Sequence, residues 1–226
     1  APSRHARWLH HSLRMIAEAG FTTAPSLENA WSQWHQCKTA WLAPGHVRHA
    51  QVTLVDTMLH ALPAILRGQV EATAVMFPDS SMRLVEGVYQ GNAVADHFND
   101  VLCEAVLAFV AARVMRDPEA QIRIVEIGAG TGGTSARVMA RLAPYAKHIG
   151  EYCYTDLSRA FLLHAQGKYG PQYPYLSYRL LDIGSPLEGQ DLQAGSYDLA
   201  IATNVLHATG DIRESLRNTK ALLGAN

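Results

Sequence analysis

The chain has 226 residues, 48% of them apolar and 17% charged, and its 19 basic and 20 acidic side chains leave a formal charge of −1. This is globular composition, with enough apolar material for a sizeable core and room for two subdomains; a neutral balance argues against nucleic acid as a partner, because neutralising phosphates takes a basic surface. Three scattered cysteines (Cys37, Cys103 and Cys153) suit neither a disulfide framework nor a zinc site, and no apolar run reaches the ~18 residues of a membrane span, so a cytoplasmic protein with no membrane partner is expected.

Residues 1–118 read as helix throughout. Ser3 is placed to cap a first helix in which Trp8, Leu9, Leu13 and Ile16 recur at helical spacing, with Gly20 as its stop. Pro25 and Ser26 open a second helix carrying Trp31, Trp34 and Trp41, which at that spacing are core residues rather than an aromatic cage. A third runs from Val52 through Leu62 and is expected to bend at Pro63. Ser80 or Ser81 begins a short helix through Leu84 and Val85, and the longest helix spans about Val94–Met115, stopped by Asp117 and Pro118.

From Gln121 the period changes. Ile122–Ile127 is a short β-rich run, followed by Gly-Ala-Gly-Thr-Gly-Gly and an amphipathic helix to about Leu142. Strands near Tyr152–Tyr154, Leu176–Leu181 and Tyr197–Thr203 follow, with helices after Ser158 and from about Ile212. Strand alternating with helix predicts an α/β fold with a parallel, Rossmann-like sheet. The domain boundary is expected at Asp117–Ala120, with a helical part over 1–118 and a ligand-binding core over 119–226. The abrupt ends suggest a piece of something larger.

Gly128, Gly130 and Gly133 match the G-x-G-x-x-G pattern directly after one strand and before one helix, the context that gives it meaning. Glycines there permit a tight turn, close ligand approach and close helix packing. The loop alone does not separate a dinucleotide from S-adenosylmethionine; three further stations do. Glu126 precedes the loop by two residues, and a carboxylate aimed at it suits a cation and repels a pyrophosphate. Asp156 ends the second strand, 28 residues after Gly128, where a carboxylate can accept both ribose hydroxyls; its plainer role is to cap the helix after Ser158. Asp182 ends the third strand, placed to accept from an adenine amino group while Ile183 packs on the ring; its plainer role is a turn aspartate. The cofactor-binding set is therefore Glu126, Gly128, Ala129, Gly130, Asp156, Leu157, Asp182, Ile183 and Asn204, with S-adenosylmethionine or its demethylated product as the ligand. A nicotinamide enzyme would place its ribose acid nearer 20 residues after the loop.

Beyond the fourth strand, Asn204 and His207 stand beside the methyl-bearing end of a ligand held by that loop. A neutral imidazole there can remove a proton from an acidic carbon or a hydroxyl; the plainer reading is a packed loop histidine. No H-E-x-x-H pair appears among the eleven histidines, and no metal site is expected.

Three runs carry a resemblance: Val-Glu-Ile-Gly-Ala-Gly-Thr-Gly-Gly-Thr, Tyr-Cys-Tyr-Thr-Asp-Leu-Ser-Arg-Ala-Phe-Leu and Ile-Ala-Thr-Asn-Val-Leu-His-Ala-Thr. Together with the upstream segment 75–99, they resemble the methyltransferase domains embedded in bacterial polyketide synthases, over nearly the whole chain. The resemblance implies a class I methyltransferase core with a helical lid. Its closest likeness is to the C-methyltransferases that act on the α-carbon of a β-ketoacyl chain delivered on an acyl carrier protein, among the other domains of the synthase. It also implies a histidine–glutamate dyad as base: His207 matches the histidine, while the glutamate belongs to a later strand than this sequence contains, so the core is expected to be C-terminally incomplete. In the lid segment, Tyr89, Asn92, Phe98 and Asn99 are candidates to close over cofactor or substrate; more plainly, Phe98 is core and Asn92 a helix cap. O-methylation of a carrier-bound chain and a non-catalytic scaffold remain the alternatives.

Overall fold

The computed structural model describes residues 5–20, 26–43, 46, 48–78, 81–89 and 93–224. They fall into two compact units, residues 1–93 and 94–226.

The first unit is helical: α1 (Ala6–Glu18), α2 (Leu27–Trp41), α3 (His49–Leu66), α4 (Ala72–Met76) and α5 (Arg83–Tyr89). Gly20 closes α1 in the left-handed conformation, at φ 82°. Ser26 caps α2 by accepting the Asn29 N–H at 3.2 Å, while the cap expected of Ser3 lies outside the described residues. A polar clasp joins α2 to α3: the Lys38 ammonium and the Trp34 indole N–H donate to Asp56 Oδ1 at 2.8 and 2.6 Å. The Lys38 bond above all lowers the Asp56 pKa. α3 runs on through Pro63 to Leu66 and buries Val52 and Ile65, and a Cβ on Gly87 would sit 2.8 Å from that of Ala50, so α5 lies close on α3.

The second unit opens with α6 (Ala93–Arg116) and continues β1 (Ile122–Ile127), α7 (Gly133–Leu142), β2 (Ile149–Asp156), α8 (Arg159–Tyr169), β3 (Leu176–Leu180), β4 (Leu199–Ala202) and α9 (Ile212–Leu222). Short 3-10 turns occupy Ala143–His148 and Leu206–Ala208. The four strands are parallel, in the order β3-β2-β1-β4. Side chains alternate across the sheet with the two-residue period of a strand. Ile122 and Ile124 of β1 and Tyr152 and Tyr154 of β2 enter one core with α6, α7 and α8. Val125, Ile127 and Cys153 enter the other, with Leu181, Ile183 and Leu222.

The compact units divide ahead of α6, whereas the sequence places a boundary at Asp117–Ala120, and the longest helix packs with the sheet. Cys103, Val106 and Val110 of α6 are buried against the core that contains Ile122, Val138 and Met139. Arg137 of α7 pairs with Asp96 and Asp100, and Arg141 with Glu104. Helical spacing says that a helix buries a face, but not which partner covers it.

Met139 is fully buried in the core to which α6 and β1 both contribute. Met139→Ala is expected to cost about 2–5 kcal/mol in denaturant unfolding. Amides of α6 should lose hydrogen-exchange protection together with those of β1. Loss confined to β1 would detach α6 from the sheet unit.

Candidate functional site

The chemistry gathers at the carboxyl end of the sheet, where open parallel sheets leave a crevice. The loop from Gly128 to Gly132 makes three backbone turns with positive φ, at Gly128 (61°), Gly130 (59°) and Gly132 (79°). The pattern read from sequence ended at Gly133; that glycine is the first residue of α7, and Gly132 is the one in the left-handed region. The three glycines serve different purposes. A Cβ on Gly128 would collide with the Val205 side chain, and one on Gly132 would lie 2.7 Å from the Tyr169 ring. A Cβ on Gly130 would meet only the Gly128 carbonyl oxygen, at 3.8 Å. Gly128 and Gly132 are thus glycines for packing, and Gly130 faces open space.

Neighbours hold the loop in place. Ala129 N–H donates to the Thr155 carbonyl at 2.9 Å, and Gly130 N–H donates to Asp156 Oδ2, also at 2.9 Å. The Tyr154 hydroxyl donates to the Gly130 carbonyl at 2.8 Å and the Tyr169 hydroxyl to that of Gly132 at 3.3 Å. Sequence reasoning singled out none of Tyr154, Thr155, Tyr169 and Val205, although Tyr154, Thr155 and Val205 lie within the runs that carry the resemblance.

Asp156 combines both roles expected of it. Its Oδ1 accepts the Ser158 N–H at 2.8 Å, ordering the start of α8, while Oδ2 takes Gly130. Burial raises its pKa, against the opposing pull of those N–H groups. The adjacent Leu157 is 71% exposed, an apolar side chain held out beside the loop. Asp182 is exposed and makes a turn: Oδ1 accepts the Gly184 N–H at 3.0 Å and Oδ2 the Ser185 hydroxyl at 2.8 Å. Ile183 is buried in the second core, so its side chain is a core group.

Glu126 sits elsewhere than the sequence suggested. The alternation of β1 turns it into the α6–α7 core, 1% exposed, where its Oε2 accepts the Ser135 and Tyr152 hydroxyls, each at 2.6 Å. It lies under the loop's helix rather than aiming into the loop. Burial pushes its pKa up to about 7; the two hydroxyls oppose that shift, and the nearby Asp156 charge adds to it.

β4 pairs with β1, with Ala202 opposite Ile127, so the residues after β4 flank the glycine loop. Asn204 has φ 55°, the one positive value for a non-glycine among the described residues, a conformation that marks strain or use. Its side chain and that of His207 are exposed. The 3-10 turn bearing His207 is tied by Ala208 N–H to the Val205 carbonyl at 2.9 Å. Of the lid candidates, Asn99 is buried and its Oδ1 accepts the Thr134 hydroxyl at 2.8 Å, at the first turn of α7. Phe98 is 65% exposed and so is not core. Tyr89 ends α5, and Asn92 lies outside the described residues. Among the described residues no cluster of His, Cys, Asp and Glu is arranged for a metal, and no helix is long and apolar enough to cross a membrane.

A methyltransferase-domain family model matches residues 125–226. Polyketide synthase PksM of Bacillus subtilis is 49% identical over 98% of this chain, and polyketide synthase PksR of the same organism is 53% identical over 89%. The matched regions are 5% and 8% of those synthases, so the chain spans a small part of its curated relatives. Among solved structures, the DszA carbon methyltransferase is 35% identical, with a TM-score of 0.83 over 99% of this chain and 59% of that one. The trans-methyltransferase CalH, solved with S-adenosylhomocysteine, is 27% identical, with a TM-score of 0.68 over 99% of this chain and 62% of that one.

The buried glutamate makes stability depend on pH. Its folded pKa, about 7, lies above the ordinary 4.5, so the folded state holds a proton that the unfolded state releases between those values. Stability is then greatest below pH 4.5 as far as this group is concerned, and falls as pH rises to about 7, by roughly 3 kcal/mol in all. Glu126→Gln should flatten that slope in urea titrations run from pH 5 to 8. A variant whose slope matches wild type would place the titrating group elsewhere.

Proposed function

We propose, from the premise that the chain belongs to the S-adenosylmethionine-dependent methyltransferase domains of polyketide synthases, that it methylates the α-carbon of a β-ketoacyl chain carried on an acyl carrier protein. The carbon acceptor is favoured by the likeness to a carbon methyltransferase over 99% of the chain. The observation that carries the mechanism is the placement of His207: exposed, in the turn after β4, on the strand that pairs with the loop-bearing β1.

The residues at the rim fit S-adenosylmethionine. The open space over Gly130 is a cradle that a larger residue would fill, and backbone amides and carbonyls there can approach a ligand directly. Asp156 keeps lone pairs beyond those used by Gly130 and Ser158, enough to accept ribose hydroxyls. The exposed Leu157 side chain offers an apolar face to an adenine ring. Asp182 would have to exchange a turn bond for one to the adenine amino group. Ala129, Ile183 and Asn204 complete the proposed binding set, Ile183 as support from the core. Glu126 is assigned a role through its field: its ionised form, buried beside the first turn of α7, favours a cation at the loop, at the cost of its own desolvation. Bound S-adenosylmethionine supplies a methyl group on a sulfonium, an electrophile that needs an electron-rich acceptor.

His207 provides the other half. An α-carbon between two carbonyls becomes nucleophilic when it loses a proton, and a neutral imidazole is the side chain suited to take it near neutral pH. In this reading Phe98 and Asn99, at the start of α6 in the sheet unit, help to shield substrate, and other domains of the synthase present the acyl carrier. An oxygen acceptor is the second reading: the same histidine would then deprotonate a hydroxyl or enol.

Two substitutions separate cofactor binding from proton removal. Gly130→Ala should keep the fold, at a strain of about 1–2 kcal/mol from its positive φ, and weaken S-adenosylhomocysteine binding in calorimetry; unchanged affinity would move the cofactor off this loop. Gly132→Ala should mainly destabilise, by its collision with Tyr169. His207→Ala should lower turnover about 10²–10⁴-fold while leaving cofactor affinity intact. The readout is mass spectrometry of carrier-bound β-ketoacyl and β-hydroxyacyl chains. Methylation of the hydroxyacyl chain alone would make the enzyme an O-methyltransferase, and near wild-type turnover would remove His207 from the mechanism.

A further inference from the structure

The inner and outer faces of α9 differ in kind. Inside, Ser215 and Leu222 are buried, and the Asn218 amide donates to the carbonyls of Ile183 and Ser185 at 3.0 and 2.9 Å, fastening the helix to the segment after β3. Outside, Ile212, Arg213, Leu216, Arg217 and Lys220 are exposed. At helical spacing these five fit within roughly 140° of the circumference, a single stripe. Glu214 falls outside that stripe, and Asp211 caps the helix, its Oδ1 taken up by the Arg213 and Glu214 N–H groups at 2.8 and 3.3 Å.

The stripe is unusual in both its charge and its apolar content. Arg213, Arg217 and Lys220 make no ion pair or side-chain hydrogen bond among the described residues, whereas Arg113, Arg123, Arg137 and Arg141 each have a carboxylate. Between the three cations lie Ile212 and Leu216, each 50% exposed. Packing this stripe against an apolar layer would strip water from unpaired charges, so its composition suits a partner that is itself anionic around a small apolar contact. The stripe also has a direction. α9 starts just past the turn that bears His207 and packs on that turn, and Lys220 lies ~12 Å further along the helix axis from Ile212.

We propose that this stripe of α9 is the docking surface of the acyl carrier. The proposal rests on the carrier-bound substrate of the function proposed above. The carrier holds its acyl chain as a thioester on a phosphopantetheine arm, and the phosphodiester at the root of that arm is ionised at neutral pH. Guanidinium groups pair with phosphate and carboxylate oxygens through two parallel N–H bonds, so Arg213 and Arg217 suit the acidic surface around the root of the arm. Ile212 and Leu216 supply the apolar centre of the contact. A carrier seated there has its arm at the end of a helix that leads back to the proposed base.

The test is calorimetric titration of the full chain with a polyketide carrier domain bearing an acetoacetyl-phosphopantetheine arm. Turnover is followed with that carrier and with acetoacetyl-N-acetylcysteamine, a small thioester with neither carrier nor phosphate. Joint reversal of charge, Arg213→Glu with Arg217→Glu and Lys220→Glu, should weaken carrier binding about tenfold and raise KM for the carrier-bound chain to match. Turnover of the small thioester should be unchanged. Wild-type affinity for the carrier should fall as salt rises, because exposed charges are screened. Carrier affinity that ignores both the reversal and salt would overturn the docking site. An equal loss on the small thioester would also overturn it, by making the stripe part of catalysis or of folding. Self-association of the wild-type chain that the reversal abolishes, with carrier binding unaltered, would give the face to a second copy instead. A chain that binds the carrier through the stripe yet methylates neither substrate would support the docking surface and sink the acyl-methylation reading.

Discussion

Four hydrogen bonds from β2 and α8 suspend the loop between β1 and α7, and the rest of the site takes its geometry from that suspension. Three left-handed glycines in five residues are conformationally expensive, because glycine loses more backbone freedom on ordering than any other residue. The loop keeps one shape because its amides and carbonyls are taken up from outside: by the Thr155 carbonyl, the Asp156 carboxylate and the Tyr154 and Tyr169 hydroxyls. Those partners come from consecutive residues of one strand and from the helix that follows it. Anything that shifts β2 against β1 therefore shifts the ligand surface as well. The parallel ladder resists such a shift, since Val125, Glu126 and their neighbours are paired residue by residue with β2.

Glu126 looks at first like a defect in this arrangement. A carboxyl buried in an apolar layer gains less from the Ser135 and Tyr152 hydroxyls than it loses by leaving water, which is why its pKa rises to about 7. A Gln of similar volume would keep an acceptor for the two hydroxyls without a charge to desolvate. On the proposed function, a group kept at such a cost is explained by what it does for the site: its carboxyl, close to Asp156, would favour a cationic ligand without touching it. Because the carboxyl is poised near neutrality, a cation above it would also draw it toward its ionised form, so charge on the ligand and ionisation of the glutamate reinforce each other.

Much of this fold was legible in the sequence, and the pattern of what was not has physical causes. The strand–helix alternation, the loop and the places of Asp156 and Asn204 follow from local signals: two-residue periodicity, glycine spacing and turn residues. The long helix was also visible, at nearly its observed length, but its partner was not, because an amphipathic face is equally content against helices or a sheet. That is why the sequence places a boundary after α6 while the compact units divide ahead of it. Glu126 was identified and misdirected: its spacing to the loop is right, and the same alternation that places Ile122 and Ile124 in the core also sends it there. The fault lay in weighing its charge over its register. Tyr154, Tyr169 and Val205 were out of reach, since each matters through a contact with a residue far away in sequence. The five-residue α4 is too short for any period to declare itself.

The contact between Val205 and Gly128 links the two halves of the chemistry. Val205 fills the space that a side chain at Gly128 would need, and its carbonyl also accepts the Ala208 N–H that closes the turn bearing His207. A single residue thus packs on the start of the cofactor loop and anchors the turn of the proposed base. Methyl transfer demands that donor and acceptor be brought to within reacting distance in one orientation, and small misplacements are costly. His207 is exposed and has no enclosing packing of its own to fix it, so its distance from the loop is set by the backbone of residues 204–208 and by the seat of Val205 on Gly128. On the proposed mechanism, the missing Cβ at Gly128 serves the catalytic spacing as well as the turn: it lets β4's trailing residues come close enough to the loop for the proposed base and a methyl donor to share an acceptor.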